Sequence, residues 1–213
     1  MKIKRISNSE DYSIFLFQYF IKNLNKDKIN KVVLSGGNTP IAFFKYLNLN
    51  INLLKKYSID FFWVDERCVD IKNPQSNYGN FLKHINFFNL DKIRTFPMYD
   101  INRSLDDNIC KYTNLIKRTL AINDRFDFGI LGMGEDGHIG SIFEVKKNND
   151  LFVQKTVGKD GLTRMSMSIS LMNKIDKNIL LCNKSKFKVL QKKEMNLPVH
   201  QIVFDKIIVL IDE

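Results

Sequence analysis

Short apolar runs alternate with longer amphipathic stretches over much of the chain. The apolar runs, which suit buried strands, are 31–34, 59–64 and 126–131. The amphipathic stretches, which suit helices, are 39–47, a segment from about Asn77, and 105–121. Strands and helices that alternate in this way predict an α/β fold with a mainly parallel sheet flanked by helices.

The two ends of the chain add further elements. Strand-like runs surround a helical stretch in the last third; the strands are 163–169, 178–181 and 206–211, and the helix is 185–193. Near the N-terminus, Gln18 and Lys22 interrupt an apolar stretch and no small-residue cleavage site follows, so we interpret it as a helix that begins near Ser9. Because no repeat or long linker divides the chain, residues 1–213 are expected to form a single domain.

Composition narrows the classes of function. The chain carries a formal net charge of +10, but its lysines are scattered, which favours a solvated surface that attracts a small anion over a nucleic-acid groove. No apolar stretch predicts a transmembrane helix or a membrane partner. Cys68, Cys110 and Cys182 form no C-x-x-C pair and are odd in number, which favours a reducing, cytoplasmic location over disulfides or a zinc cluster.

One segment joins a predicted buried strand to a Gly-rich, acidic loop. It covers 126–143 and reads FDFGILGMGEDGHIGSIF. Gly132, Gly134 and Gly137 permit tight turns and the close approach of a ligand. His138 follows at the carboxyl end of the strand, where open α/β sheets bind ligands. Since imidazole is suited to move a proton near neutral pH, His138 is the candidate general base.

Other interpretations of these residues are weaker. The same loop contains G-x-G-x-x-G from Gly132 to Gly137, a pattern also found in dinucleotide-binding sites. Glu135 and Asp136 stand where a pyrophosphate needs donors, and the motif lies beyond mid-chain, so a nucleotide cofactor is disfavoured. The other two histidines lack such surroundings and are interpreted as structural; they are His84 and His200.

A second Gly-rich turn, SGGNTP at 35–40, follows the first predicted strand. We expect Thr39 to cap the next helix and Pro40 to occupy its first turn. Gly36 and Gly37 would leave backbone N–H groups free at the helix N-terminus, which is able to bind a phosphate or carboxylate. An ordinary strand–turn–helix joint explains the same residues equally well.

The second predicted strand ends in three charged residues, Asp65, Glu66 and Arg67. Arg67 is suited to grip a phosphate through its planar guanidinium, with Asp65 or Glu66 holding the side chain in place. The alternative is a surface ion-pair cluster, which contributes little. Downstream, SNYGN at 76–80 is polar and turn-rich, and by itself it predicts only the start of a helix.

These motifs, in this order, resemble the 6-phosphogluconolactonases. The motifs are SGGNTP at 35–40, VDERCV at 64–69, SNYGN at 76–80 and GMGEDGHIGSIF at 132–143. Later segments continue the likeness; they are LTRMSMSISLMN at 162–173, NKSKFKVL at 183–190 and LPVHQI at 197–202. The resemblance therefore extends from about residue 31 to the C-terminus.

The resemblance implies a Rossmann-like α/β fold of the sugar-phosphate isomerase and deaminase group. It also implies hydrolysis of 6-phospho-D-glucono-1,5-lactone to 6-phospho-D-gluconate, the second step of the oxidative pentose phosphate pathway. No metal or organic cofactor is expected. The expected partner is a small sugar phosphate, bound by a monomer that has no nucleic-acid or membrane partner.

Roles for individual residues follow from the same resemblance. His138 would take a proton from the water that attacks the lactone carbonyl, and Asp136 or Asp65 would orient the imidazole or the water. The phosphate would be bound by basic side chains; these are Arg67, Arg164 and Lys186. Further substrate contacts are expected from neutral groups; these are Gly36, Gly37, Thr39, Asn77 and Gly134.

Two alternatives stay open. The related glucosamine-6-phosphate deaminases have a similar D-G-H loop, but it continues into Asn-Glu-Pro, whose carboxylate assists ring opening. Phe143 stands at the corresponding position here with Glu144 beside it, and Arg67 stands where the deaminases usually have an aromatic residue. The second alternative is a non-catalytic sugar-phosphate-binding protein, against which the intact His138 argues.

Overall fold

A parallel sheet forms the centre of the protein. The computed structural model describes residues 2–6, 9–87, 90–121, 124–145, 152–192, 194, 196–203 and 207–212. Seven strands within these ranges form the sheet: β1 (Lys2–Ile6), β2 (Ile29–Leu34), β3 (Ser58–Trp63), β5 (Ile93–Thr95), β6 (Phe126–Gly132), β9 (Ile175–Asn183) and β10 (Ile207–Asp212). Their order is β1-β10-β9-β6-β2-β3-β5, and every neighbouring pair is parallel.

A small antiparallel sheet lies beside the carboxyl end of β3. It contains β4 (Asp65–Arg67), β7 (Val153–Val157) and β8 (Thr163–Met167), in the order β4-β8-β7. Val64 links the two sheets, because its N–H donates to the carbonyl of Leu34 and its carbonyl accepts from the N–H of Met167. The charged run that follows β3 is therefore a strand with a partner of its own.

Helices cover the main sheet. They are α1 (Ser9–Asn23), α2 (Ile41–Leu49), α3 (Asn77–His84), α4 (Leu105–Thr119), α5 (Ile169–Met172) and α6 (Lys184–Gln191), with short 3₁₀ helices at Ile51–Lys56 and Pro198–Gln201. Consecutive side chains of β3 show that both faces are buried. The Phe61 ring packs against Phe20 of α1, and the Phe62 ring stacks on Phe96. None of the helices in the described ranges is long and apolar enough to cross a membrane.

The α/β class and the mainly parallel sheet predicted from the sequence are confirmed. Each predicted helix and strand is present, most of them with shifted ends, while β1, β4, β5, β7 and the short helix α5 were not predicted. Two predicted element ends, Lys193 and Lys206, lie outside the described residues. The predicted run 163–169 is split, since the strand ends at Met167 and Ser168 caps α5.

The prediction that Thr39 caps α2 is wrong. The helix begins at Ile41, so Pro40 occupies the cap position, and no side chain makes a capping hydrogen bond there. Thr39 lies one residue too early to serve as the cap. The backbone N–H groups in the first turn of α2 consequently lack a side-chain acceptor at the cap.

The sheet order decides where the candidate site lies. β3, β2, β6 and β9 are successive neighbours, and parallel strands place their carboxyl ends at one edge. That edge receives the turn after β2, the strand β4, the loop after β6 and the start of α6. Ligands bind at this edge in open α/β sheets.

Candidate active site

A cavity of about 320 Å³ opens at this edge of the sheet. Four parts of the chain line it: the turn after β2, the small sheet with α3, the loop after β6, and α6. The lining side chains and glycines are Ser35, Gly36, Gly37, Asn38, Thr39, Asp65, Arg67, Asn77, Gly132, Met133, Gly134, His138, Gly140 and Lys186. Nine predicted site residues therefore meet here, while Asp136 and Arg164 do not line the cavity.

A larger cavity of about 640 Å³ lies between α4 and the segment 96–102. Its buried polar groups already have partners within the protein. The Tyr112 hydroxyl accepts from the N–H of Trp63 at 2.9 Å, and the Asn108 amide donates to the carbonyl of Asp100 at 2.9 Å. The larger cavity also has charged side chains, but the smaller one is the better candidate, because it combines an imidazole, that of His138, with Arg67 and Lys186 at the carboxyl edge of the sheet.

His138 and Asp136 form a hydrogen-bonded dyad beside the cavity. The imidazole Nδ1 lies 2.5 Å from a carboxylate oxygen of Asp136, and the other oxygen lies 2.6 Å from the ammonium of Lys159. Partial burial favours the neutral acid, but hydrogen bonds from Lys159 and His138 outweigh it and hold the pKa of Asp136 well below its usual range. An ionised Asp136 that accepts from Nδ1 leaves Nε2 of His138 to accept a proton.

The loop after β6 is shaped around this imidazole. The N–H of Gly134 donates to the carbonyl of His138 at 2.9 Å, and Met133 bridges to Ile139. A Cβ on Gly134 would lie 2.1 Å from Cε1 of His138, so only glycine fits there. In the described part of this loop, no helix follows the G-x-G-x-x-G pattern, whereas a dinucleotide fingerprint opens one.

Asp65 lies in the same cavity wall and is buried. One carboxylate oxygen accepts from the Ser141 hydroxyl at 2.5 Å, and the other accepts from the Asn77 amide at 3.3 Å. The Asn77 amide also donates to the Asp65 carbonyl at 2.9 Å. The carboxylate is thus fixed by neutral donors, and these hydrogen bonds connect it to α3 and to the loop after His138.

Glu66 stabilises the start of α3. Its carboxylate accepts from the backbone N–H groups of Asn77 at 2.7 Å and Tyr78 at 2.8 Å, so it caps α3 together with Ser76. Burial raises the pKa of Glu66 to about 6, although these N–H groups favour the carboxylate. The expected support of the Arg67 side chain by Asp65 or Glu66 is wrong: the Glu66 carboxylate accepts from the backbone N–H of Arg67 at 2.8 Å, whereas the guanidinium donates to the carbonyl of Gln75 at 2.6 Å.

Two cationic side chains reach the cavity, those of Arg67 and Lys186. The buried Nε of Arg67 has no partner among the described residues. Lys186 lies in the first turn of α6, where its own N–H donates to the cap residue Asn183 at 3.0 Å. Both charges therefore stand on ordered elements, which favours binding of an anionic group.

Arg164 occupies a different position from the one its predicted role suggests. It lies opposite Arg67 across the β4–β8 pair, but its guanidinium pairs with Asp160 at 2.6 Å. The guanidinium carbon also lies 5.5 Å from the centre of the Phe143 ring. The centres of the Phe143 and His138 rings are 4.8 Å apart. The proposed contact of Arg164 with a phosphate stays a prediction.

The sequence comparisons agree with this geometry. The family described as glucosamine-6-phosphate isomerases/6-phosphogluconolactonase matches residues 13–205. The chain belongs to this family. Among family members, the 6-phosphogluconolactonase of Chlamydia pneumoniae is 33% identical over 148 residues, which are 67% of this chain and 56% of that protein. The chain spans about half the length of the first curated relatives that it matches.

Two further comparisons extend this result. The crystal structure of the 6-phosphogluconolactonase from Thermotoga maritima has a TM-score of 0.82 and 26% identity, covering 99% of this chain and 98% of that one. A human GDH/6PGL endoplasmic bifunctional protein is 31% identical over 165 residues, which are 70% of this chain but only 20% of that protein. Family members thus occur alone and as parts of longer chains.

Several residues of the site in this family member escaped the sequence interpretation. Asn38, Gly140, Ser141 and Lys159 were not singled out, although the first three lie within motifs that were. Lys159 gave no signal, because it reaches Asp136 from the turn between β7 and β8. His200, interpreted as structural, is buried with its Nδ1 2.6 Å from the carbonyl of Glu194.

Gly36→Ala is expected to destabilise the protein by about 1–3 kcal/mol through overpacking. A Cβ on Gly36 would lie 2.1 Å from Cγ and Oδ1 of Asn77, whose amide is anchored on Asp65. Urea unfolding measures the loss. Gly37→Asn is the matched control, because Gly37 has a φ of +85° and open space, and Asn tolerates that conformation. Equal stability of Gly36→Ala and wild type would contradict the close approach.

Lys159→Ala is expected to raise the pKa of Asp136 towards its usual value, since it removes one of the three hydrogen bonds that lower this pKa. Stability should change by less than about 1 kcal/mol, because the Lys159 side chain is 76% exposed. A carboxyl ¹³C NMR titration measures the pKa. Lys155→Ala, on neighbouring β7, removes an equal charge as the control. An unchanged Asp136 titration would show that the contact has no electrostatic effect.

Proposed function

We propose that this protein hydrolyses 6-phospho-D-glucono-1,5-lactone to 6-phospho-D-gluconate, as the second step of the oxidative pentose phosphate pathway. The observation that carries the proposal is the His138–Asp136 dyad beside a cavity that also presents Arg67 and Lys186. A base and two cations in one cavity suit a substrate that has an electrophilic carbonyl and a phosphate. Membership of the family supports the same reaction.

In the proposed mechanism, Nε2 of His138 accepts a proton from water as the water oxygen attacks the lactone carbonyl. The Asp136 carboxylate keeps Nδ1 protonated and stabilises the imidazolium that forms. Collapse of the tetrahedral intermediate breaks the bond between the carbonyl carbon and the ring oxygen, and that oxygen takes the proton back from His138. General-base catalysis of this kind contributes about 10²–10⁴-fold.

The remaining cavity residues are assigned to binding. Arg67 and Lys186 bind the phosphate with their charges, and the N–H groups near Gly36, Gly37 and Thr39 add neutral donors. Asn77 and Gly134 contact the sugar and the developing oxyanion, while Asp65 orients water or substrate. No step is assigned to a metal ion or an organic cofactor.

The finer statements about partners and location rest on the sequence. We propose a monomer in the cytoplasm that acts on a free sugar phosphate, with no nucleic-acid or membrane partner. The scattered lysines and the absence of a C-x-x-C pair in the chain support this. Light scattering coupled to size-exclusion chromatography tests the oligomeric state, and a mass of twice 25.0 kDa would overturn the monomer.

Deamination of glucosamine 6-phosphate is the rival reaction, since the family name includes those isomerases. Phe143 argues against it. An aromatic ring occupies the position where the deaminase loop places its ring-opening Glu, and its centre lies 4.8 Å from that of the His138 ring.

The deciding experiment measures hydrolysis of freshly generated 6-phosphogluconolactone after subtraction of spontaneous opening, with glucosamine 6-phosphate assayed in parallel. Turnover of the lactone alone is expected. Turnover of the amino sugar alone would assign the chain to the deaminases. Binding of the product 6-phosphogluconate with no turnover of either compound would identify a sugar-phosphate-binding protein.

A further inference from the structure

The Ser141 hydroxyl has no role in the proposed mechanism, although Ser141 is buried and held in place by two hydrogen bonds. Ser141 is fully buried, with 0% of its surface exposed. Its hydroxyl donates to a carboxylate oxygen of Asp65 at 2.5 Å, and its N–H donates to the hydroxyl of Ser166 at 3.2 Å. It therefore contacts β4 and β8 at once.

The backbone around Ser141 is a tight turn held at both ends. Ile139 and Ile142 exchange backbone hydrogen bonds, with distances of 3.3 and 2.9 Å. Gly140 adopts a φ of +55°, and a Cβ there would lie 2.8 Å from a methyl carbon of Val64. The turn is thus pressed against the segment that enters β4, and a glycine is needed for this approach.

This turn follows His138 directly, so it connects the loop after β6 to the small sheet across the cavity. His138 and Asp65 both line the cavity. His138 immediately precedes the turn, and Asp65, in β4 of the small sheet, accepts the hydrogen bond from the Ser141 hydroxyl. Asp65 is buried, and its other carboxylate oxygen accepts only a longer hydrogen bond, of 3.3 Å, from Asn77. The short bond from Ser141 is therefore the main restraint on the direction of the carboxylate.

We infer that Ser141 is a positioning residue for the reaction: its hydroxyl fixes the Asp65 carboxylate in the cavity wall and ties the loop that carries His138 to β4. The inference rests on the proposed lactone hydrolysis. Ser141 itself touches neither water nor substrate, because it is fully buried. Its effect passes through Asp65.

The test is the variant Ser141→Ala, which removes the hydroxyl and keeps the rest of the turn. The kcat for lactone hydrolysis is expected to fall at least about 10-fold, while the KM stays within about 2-fold, because the phosphate contacts are unchanged. Ser141→Cys, which restores a weak donor of similar size, is expected to give an intermediate kcat. An unchanged kcat in Ser141→Ala, or a raised KM alone, would overturn the inference.

Ser168→Ala is the matched control. Ser168 is also a buried serine, and its hydroxyl caps α5 by accepting from the N–H of Leu171 at 3.1 Å, away from the cavity. It is expected to lose thermal stability with its kcat unchanged. In an Asp65→Asn background, Ser141→Ala should reduce kcat little further, because both changes disturb the same carboxylate. Full additivity of the two changes would refute a role through Asp65.

Failure of the proposed function is distinguishable from failure of this inference. If wild type does not hydrolyse the lactone, the function is wrong whatever Ser141 does. A crystal structure of Ser141→Ala then tests the positioning by itself. A rotated Asp65 carboxylate or a displaced 139–142 turn supports it, and unmoved coordinates at both places contradict it.

Discussion

His138→Ala is expected to lower the kcat for lactone hydrolysis by about 10²–10⁴-fold and to leave the KM close to that of wild type. The variant removes the nitrogen that accepts the proton from water. The loop should keep its shape, because its hydrogen bond from the N–H of Gly134 to residue 138 is made by the backbone. Substrate binding is retained because Arg67 and Lys186 reach the cavity from other elements.

The measurement is the steady-state rate of lactone hydrolysis, after subtraction of the rate of spontaneous ring opening at the same pH. His84→Ala is the matched control, since His84 ends α3 and does not line the cavity. Its kcat should equal that of wild type. Equal activity of His138→Ala and wild type would remove the general base from the mechanism, even if the lactone proved to be the substrate.

The elements that the sequence predicted are those whose own residues carry the pattern. β2, β3 and β6 are apolar runs in a sheet buried on both faces, and α4 has a strong amphipathic repeat. β5 has only three residues and β1 contains three basic ones, so neither run is apolar enough to be recognised. Strand formation there depends on partners that are distant in sequence.

The small sheet shows the same limit at the site. The sequence DER of β4 is typical of a strand end, yet it is a strand because its backbone pairs with β8, about one hundred residues later. This pairing separates Glu66, which caps α3, from Arg67, which faces the cavity. The sequence shows three consecutive charged residues. The pairing of β4 with β8 determines which face of the small sheet each side chain lies on.

Most of the candidate site could still be predicted, because the glycines and the histidine after the strands are needed for the local shape of the loops, and such residues form recognisable motifs. Gly134 must be small beside His138, and this need is visible as a Gly-rich motif. The contacts from Lys159 to Asp136 and from Ser141 to Asp65 join segments 23 and 76 residues apart, which no local pattern reveals. The charge environment of both carboxylates therefore had to come from the structure.

Arg67→Ala is expected to raise the KM for the lactone by about 10–100-fold with a much smaller change in kcat. A hydrogen bond to a charged group contributes about 1.5–3 kcal/mol, and about 1.4 kcal/mol corresponds to a tenfold change in affinity. The phosphate is remote from the lactone carbonyl, so the lost interaction stabilises the ground state and the transition state alike. The Arg67 side chain lines the cavity, and its guanidinium is held there by the carbonyl of Gln75, so it is placed for such a bond.

Arg118→Ala separates this contact from general attraction by the positive surface. Arg118 lies in the last turn of α4, is exposed and does not line the cavity, so the variant loses the same charge from the net +10. Its KM should stay within about 2-fold of wild type at physiological ionic strength, where screening limits long-range effects. A similar rise in both variants would mean that Arg67 attracts the substrate without binding it.

Arg164→Ala, in the same assay, ranks the two arginines that face each other across β4 and β8. Because the Arg164 guanidinium already pairs with Asp160 and lies outside the cavity lining, its loss should raise the KM less than the loss of Arg67. The opposite ranking would mean that Arg164 leaves Asp160 when substrate binds. Asp160→Asn would then lower the KM, since it frees the guanidinium for the phosphate.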